Sequence, residues 1–365
     1  MNLIRLDKLG ENVSQLALGV NKTGTKENNN HDTEKNRILF YHEAMSLGVN
    51  LFDTAELYGG GYSEEILGKA LRDRRHDAII CSKFNARNSD RNNLQLSLEN
   101  SLKRLNTDYI DFYLSHWPNP TIPLQELVDS LATFQEQGKI RAFGIGNAVF
   151  SEIKDLHAKN KGNFFVVENE FNLLERQSLE DTIPFCQKNN HLFMAYSPFL
   201  QGKTVKFNDS LNYLIEKHNC TRHQLMLSWV FQKNVVSIVR TLNIDHLRDN
   251  ISSMEINLSS DDLCVLEDSL GPKKVLIDID QVKIDDRAYL TCEEAIDNKI
   301  DLIPSPALLS KRVGNNFSLP PLRTFFRNGK YEIIDDYYFS EIKKYWAWKI
   351  CNKKEIEAYV FNEVS

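Results

Sequence analysis

A chain of 365 residues exceeds one average domain, and its formal charge of −6 with a pI near 5.9 gives no electrostatic case for nucleic acid or an anionic membrane as partner. Apolar residues make up 42% of it, enough for a sizeable core, while Met1–Asp7 holds no apolar leader and no stretch is long enough to span a bilayer. The six cysteines (Cys81, Cys186, Cys220, Cys264, Cys292, Cys351) lie far apart with no Cys-x-x-Cys, which speaks against a metal site or a disulfide framework and for reduced thiols in the cytoplasm.

In chain order, residues 1–20 read as a hairpin turning near Gly10-Glu11-Asn12, followed by the compact apolar run Leu16–Gly19. Asn21 to Asp32 is a polar, Asn-rich loop, and Glu34 to Leu47 carries helical spacing closed by Gly48. The run Asn50-Leu51-Phe52-Asp53 is a strand ending in a carboxylate, after which Tyr58 and Gly59-Gly60-Gly61 lead into a helix over Ser63–Leu71. Strand and helix then alternate. Strands are expected at Ala78–Cys81 (ending at Ser82-Lys83), Tyr109–Leu114 (ending at Ser115-His116-Trp117), Ile140–Ile145, Phe164–Val167, Leu192–Tyr196 and Val235–Val239. Helices are expected at Asn92–Leu105, Leu124–Gln137, Val149–Lys159, Leu179–Lys188, Leu211–His218, His223–Gln232, His246–Ile251 and Asp261–Leu270.

Eight short apolar strands, each followed by helix, are what a parallel sheet buried on both faces demands, and they predict an α/β fold, a (β/α)8 TIM barrel over residues 1–272. A doubly wound open sheet would need a glycine-rich phosphate turn after its first strand, and Gly19-Val20-Asn21-Lys22-Thr23-Gly24 does not supply it. Beyond Gly271-Pro272 the pattern changes. Strand-like alternation at Val275–Ile284, a helix at 288–300, a hairpin around Asn328-Gly329, a helix at Phe339–Trp348 and a last strand at Ile356–Phe361 predict a small α+β domain over 273–365. Its charges balance, so the net negative charge belongs to the barrel.

Residues at the C-terminal ends of barrel strands converge on one mouth. Asp53 and Tyr58 follow the second strand, Lys83 ends the third and His116 ends the fourth. A tyrosine is a poor acid at neutral pH unless its phenolate is stabilised; an adjacent lysine does this by charge, and a carboxylate beyond holds the ammonium in place. A histidine that donates a hydrogen bond polarises a carbonyl. Together the four would protonate a carbonyl oxygen while hydride arrives at its carbon.

At these residues the chain resembles the aldo-keto reductases, over residues 3–270. The matching pieces include Gly48 to Ala55 with Tyr58 and Gly59, Ser82-Lys83, Asp111 to Pro118, Gly138 to Gly144, Glu170 to Leu174 and Tyr196-Ser197-Pro198. The resemblance implies a barrel that binds NADP, with NAD as the alternative, and reduces the carbonyl of an aldehyde, ketone or sugar-type substrate to an alcohol. It implies Tyr58 as proton donor, Lys83 and Asp53 as its tuners, and His116 as the residue orienting the carbonyl. For the cofactor it implies Asn147, Glu168, Tyr196, Ser197, Arg240, Thr241, Asp249 and Asn250. Three positions depart from the family's usual residues. Gly146 stands where a serine is usual, His246 where an arginine is frequent, and Glu168 where a glutamine grips the nicotinamide carboxamide. A glutamate accepts from that amide but donates to its carbonyl only when protonated.

The tail is similar to the ParB/sulfiredoxin-like fold at Ile279 to Ile284, Leu319 to Leu322 and Asn328 to Asp335, but reads Asp336-Tyr337-Tyr338-Phe339 where that family places phosphate-gripping basic residues. A docking or self-association role, or one shaping a sugar-nucleotide substrate, is the expectation for it. The other reading of the whole chain is a regulatory protein in which the barrel senses NAD(P)H and the tail binds a partner or nucleotide.

Overall fold

The computed structural model describes residues 1–21, 31–119, 121–199, 208–270, 273–283, 322–327, 330–333 and 355–361. They fall into two compact units, Met1–Phe199 with His218–Ser259, and Leu200–Lys217 with Ser260–Ser365.

The first unit opens with an antiparallel hairpin of β1 (Leu3–Leu6) and β2 (Glu11–Ser14). Its turn lies one step earlier than the sequence suggests, at residues 7–10, because Gly10 takes the left-handed conformation (φ +70°) and frees Glu11 and Asn12 for pairing. Eight strands follow: β3 (Leu16–Gly19), β4 (Leu51–Asp53), β5 (Ile79–Phe84), β6 (Ile110–Ser115), β7 (Ile140–Gly146), β8 (Val166–Glu170), β9 (Leu192–Tyr196) and β10 (Val236–Val239). Each pairs in parallel with its neighbour, and β10 returns to β3 to close the barrel. The helices of this unit are α1 (His31–Ser46), α2 (Tyr62–Leu71), α3 (Arg91–Leu105), α4 (Leu124–Glu136), α5 (Phe150–Lys159), α6 (Gln177–Glu180), α7 (Thr182–Lys188), α9 (Arg222–Phe231) and α10 (Ile244–Ser252). The single helix expected over Leu179–Lys188 is broken at Asp181, since Pro184 has no N–H to return to the Glu180 carbonyl.

The barrel interior follows from the two-residue period of strands. Ala17, Leu51, Ile79, Phe112, Ala142, Val166, Leu192 and Val236 pack in one buried cluster with Cys81, Leu114, Met194 and Ile238, which lie two residues further along their strands. Leu6 and Val13 of the hairpin join that cluster and plug the barrel at the N-terminal ends of its strands. Continuing the same parity towards the C-terminal ends gives Asp53, Lys83, His116, Gly146, Glu168, Tyr196 and Arg240. Asp53, Lys83, His116, Glu168, Tyr196 and Arg240 of the predicted site are thus the last members of the inward-facing series.

The second unit holds α8 (Asp209–Lys217) and α11 (Ser260–Leu270), linked by Lys217 to Asp262 at 2.7 Å. Its five-stranded mixed sheet is ordered β11 (Lys273–Asp278), β15 (Glu355–Phe361), β13 (Leu322–Arg327), β14 (Lys330–Ile333), β12 (Val282–Lys283). β13 and β14 are antiparallel as the hairpin expectation requires. The two helices expected at 288–300 and Phe339–Trp348 lie outside the described residues.

Candidate active site

All eight barrel strands are parallel, so their C-terminal ends share one rim. Lys83, 1% exposed, lies on β5 two residues beyond Cys81, and its ammonium is ion-paired with Asp53 of β4. The same nitrogen donates to the Thr54 carbonyl at 3.2 Å and stands 3.2 Å from Glu168 Oε1 on β8. Burial alone would pull the ammonium's pKa down; the charges of Asp53 and Glu168 outweigh it and hold it well above the usual lysine range. Burial, then the neighbouring Asp53 charge, push the Glu168 carboxyl up to about 8 against the pull of Lys83. Cys81 lies between the carboxylates, its Sγ 4.0 Å from Glu168 Oε2, and burial followed by the Asp53 charge keeps its thiol well above the usual range. Asp53, Cys81 and Glu168 bring ligand atoms within 4.8 Å of one another, and the cation that sits against the two carboxylates is the Lys83 ammonium.

Tyr58 projects from a short turn after β4, half-buried, with the Lys83 nitrogen 5.4 Å from its ring centre. The turn depends on glycine: Gly59, Gly60 and Gly61 all have positive φ, and a Cβ on Gly61 would lie 2.5 Å from Arg104 Cδ. His116 meets the Tyr58 ring edge-on (centroids 5.6 Å apart, 81° between planes) and stacks on Trp117 at 3.9 Å and 9°. Burial, then the Lys83 charge, hold the imidazole well below its usual pKa, so it is neutral at neutral pH. Its Nδ1 is buried without a hydrogen-bond partner. A neutral imidazole offers one N–H.

Beyond this cluster, Asn147 ends β7 with φ +54° and donates from Nδ2 to the His116 carbonyl at 2.9 Å, while its Oδ1 accepts from the Tyr196 hydroxyl at 2.6 Å. The Tyr196 ring is thereby fixed at the rim as a flat aromatic surface. Ser197 follows with φ +55°, its carbonyl accepting from Asn172. Gly146 leaves little room for a side chain, since a Cβ there would sit 3.0 Å from the His116 carbonyl oxygen. Arg240, exposed just past β10, donates to Asn21 at 3.2 Å, and Thr241 exchanges hydrogen bonds with Asn243, the cap of α10. Asp249 is exposed and Asn250 buried on α10. Asp53, Tyr58, Lys83, His116 and Glu168 therefore form one group, Asn147 with Tyr196 a second touching it through His116, and Arg240, Thr241, Asp249 and Asn250 a third around the start and body of α10.

The engagement of Glu168 with Lys83 was not legible in the sequence, where Glu168 falls among the cofactor residues; the inward parity of β8 was the signal that could have found it. Cys81 and Trp117 gain places beside the carboxylates and the imidazole in the same way.

The sequence profile of the Aldo/keto reductase family matches residues 15–269. Over 254 residues the chain is 31% identical to methylglyoxal reductase YeaE of Escherichia coli (strain K12), covering 68% of this chain and 89% of that one. Among solved structures it is similar to a thermostable aldo-keto reductase, Tm1743, crystallised with the inhibitor epalrestat (36% identity, TM-score 0.69, 73% of this chain and 99% of that one). It is also similar to an aldo/keto reductase of Klebsiella pneumoniae in complex with NADP and acetate (28% identity, TM-score 0.66, 73% and 94%). A parallel barrel with this match is an NAD(P)H-dependent oxidoreductase. The chain belongs to the aldo/keto reductase family.

Among the described residues no helix is long and apolar enough to cross a membrane.

Proposed function

We propose that the protein reduces the carbonyl of a small aldehyde or ketone to an alcohol with NADPH, Tyr58 giving the proton to the oxygen. The observation that carries this reading is the buried Asp53–Lys83 ion pair standing against the Tyr58 ring, with a neutral His116 edge-on to the same ring. A positive charge beside the phenol favours its ionised form and so makes it a stronger acid. Asp53 holds the ammonium in place, and His116 donates its N–H to the carbonyl oxygen, polarising it before the proton moves.

The residues present fit a nicotinamide dinucleotide. The Tyr196 ring, tethered by Asn147, is a platform for a flat heterocycle, and the exposed Arg240 guanidinium suits a phosphate bidentately. Tyr196, Ser197 and Asn147 would hold the nicotinamide end, and Arg240, Thr241, Asp249 and Asn250 the adenosine end, with Arg240 favouring NADPH over NADH. Bound cofactor supplies the hydride; orientation, proton supply and exclusion of water fall to the chain. Relatives named as a methylglyoxal reductase and as an NADP complex support this reading.

The test is direct. The purified chain is titrated with NADPH and NADH by fluorescence, then given a panel of methylglyoxal, other aldehydes, ketones and sugars while loss of reduced nicotinamide is followed. Turnover that collapses in Tyr58→Phe supports the proposal. Cofactor binding with no turnover on any carbonyl would favour the sensor reading instead, and turnover unchanged in Tyr58→Phe would remove the tyrosine from the chemistry. The tail is proposed as an α+β docking or self-association unit, supported by its mixed sheet; the oligomeric state of the full chain tests the self-association arm.

A further inference from the structure

Glu168 is a buried carboxyl that the chemistry above does not use. It approaches the Lys83 ammonium to 3.2 Å, and the same nitrogen also meets Asp53 and the Thr54 carbonyl. An ammonium has three N–H donors. Asp53, Thr54 and Glu168 supply three acceptors for them, and the Tyr58 ring centre lies 5.4 Å from the same nitrogen. One positive charge is thus shared between two carboxyls and a phenol.

We propose that Glu168 is a positioning residue for the proton donor: as a second carboxyl on the Lys83 ammonium, it offsets the positive charge that stands against Tyr58 and thereby keeps the phenol protonated. The proposal rests on the reductase reading for its consequence, since a phenol held protonated serves reduction, whereas a phenolate would serve the reverse oxidation.

The physical argument is one of charge. With Glu168 protonated, the cluster of Asp53, Lys83 and Glu168 is neutral and the ammonium retains its pull on the phenol. When Glu168 loses its proton to solvent, the cluster carries a net negative charge, and a second negative charge on the phenol becomes costly in so buried a place. The groups facing Glu168 are Asp53 from β4 and Cys81 with Lys83 from β5; its β7 and β9 neighbours in register, Gly146 and Met194, carry no charge. Glu170, on its own strand, bonds to Asn172, and Tyr58 and His116 lie beyond Lys83. Burial, then the Asp53 charge, push the Glu168 carboxyl up to about 8 against the pull of Lys83.

The test uses the full chain without cofactor, labelled with carbon-13 at the tyrosine Cζ. The Tyr58 resonance is the one missing from Tyr58→Phe, and its titration is followed in the wild type, Glu168→Gln, Glu168→Met and Glu168→Asp. The expected result is ionisation of Tyr58 at a pH lower by about one unit or more in the two neutral variants, with Glu168→Asp nearer the wild type. Two neutral variants are read so that a folding failure of one leaves the other. Tyr58 ionising at the wild-type pH or above it in the neutral variant that folds overturns the proposal. In turnover, the alkaline limb of reduction should move to lower pH in the same variants. A protein that reduces no carbonyl yet shows the tyrosine shift would sink the reductase reading and leave the placement of Glu168 standing; turnover with coincident titrations would do the opposite.

Discussion

Two buried ionic clusters occupy opposite ends of the same barrel, and they are built on opposite terms. At the N-terminal ends of the strands, Asp111 of β6 is matched completely. One oxygen accepts from Arg75 at 2.7 Å and from the Ile80 backbone at 2.9 Å, and the other from Arg141 at 2.9 Å, while Arg141 also pairs with Glu11. Arg75 further donates to the Ala78 and Tyr109 carbonyls and lies 3.9 Å over the Tyr109 ring. A cavity of about 430 Å³ opens at this end, lined by Glu11, Asn50, His76, Tyr109, Asp111 and Arg141 among others, away from the rim that carries Asp53, Lys83 and His116. At the C-terminal ends, one ammonium serves two carboxyls, and an imidazole nitrogen is left without a partner. A network in which every member is matched ties strands together; one left incomplete holds a pKa away from its usual value. The matched network thus lies at one end of the barrel and the proposed chemistry at the other.

Mutations can break this division. The largest effect is expected at the mouth: Tyr58→Phe should lower turnover about 10²–10⁴-fold, with an unchanged urea midpoint. Asp111→Ala should do the reverse, costing about 3 kcal/mol of stability by removing the carboxylate that Arg75, Arg141 and the Ile80 N–H share, while NADPH affinity by fluorescence stays the same. A loss of turnover from Asp111→Ala in protein that remains folded would show the two ends to be coupled.

The lower end also carries an acid response. His191, just before β9, stacks on Phe165 at 3.8 Å and shares a hydrogen bond of 2.9 Å with His157. Burial, then the His157 charge, push its pKa down to about 4. Above a pH of about 6.5, the ordinary histidine value, neither folded nor unfolded His191 is charged. Between there and about 4 the unfolded chain binds a proton that the folded chain refuses, so stability falls as pH falls. The melting temperature of His191→Phe should therefore drop less than the wild type's between pH 7 and pH 5. The smallest effect is expected at Gly146→Ser, which adds the hydroxyl usual in the family but sets its Cβ 3.0 Å from the His116 carbonyl. It should cost about 1 kcal/mol of stability, and a gain in NADPH affinity that outweighed this would mean β7 yields more easily than its packing suggests.

The barrel was legible because its signal is local. Apolar runs of four to six residues alternate with amphipathic helices, and a polar residue at each strand end marks the rim. Asp53, Lys83 and His116 were legible for the same reason, each sitting where its own strand stops, and Tyr58 was legible as the aromatic before the glycine turn that follows β4. What stayed hidden depends on which strands meet across the closed barrel. Glu168 is far along the chain from Lys83, and only closure brings β8 to face β5. The tether from Asn147 to Tyr196 likewise joins two strand ends that are not neighbours in register. Asp111 and Arg141 appeared in the sequence as pieces of a family pattern; their role as partners emerges from β6 and β7 lying side by side with Arg75 alongside.

The stack of His116 on Trp117 has an optical consequence. An indole in face-to-face contact with an imidazole loses fluorescence when that imidazole is protonated, and Trp117 lies 3.9 Å away with its plane 9° from that of His116. Because His116 resists protonation, Trp117 should stay bright through neutral pH and dim only below the usual histidine range. Trp229, by contrast, is buried against Phe171 at 5.0 Å. Light emitted by Trp117 is therefore a built-in gauge of what sits against the imidazole, readable before any substrate is known.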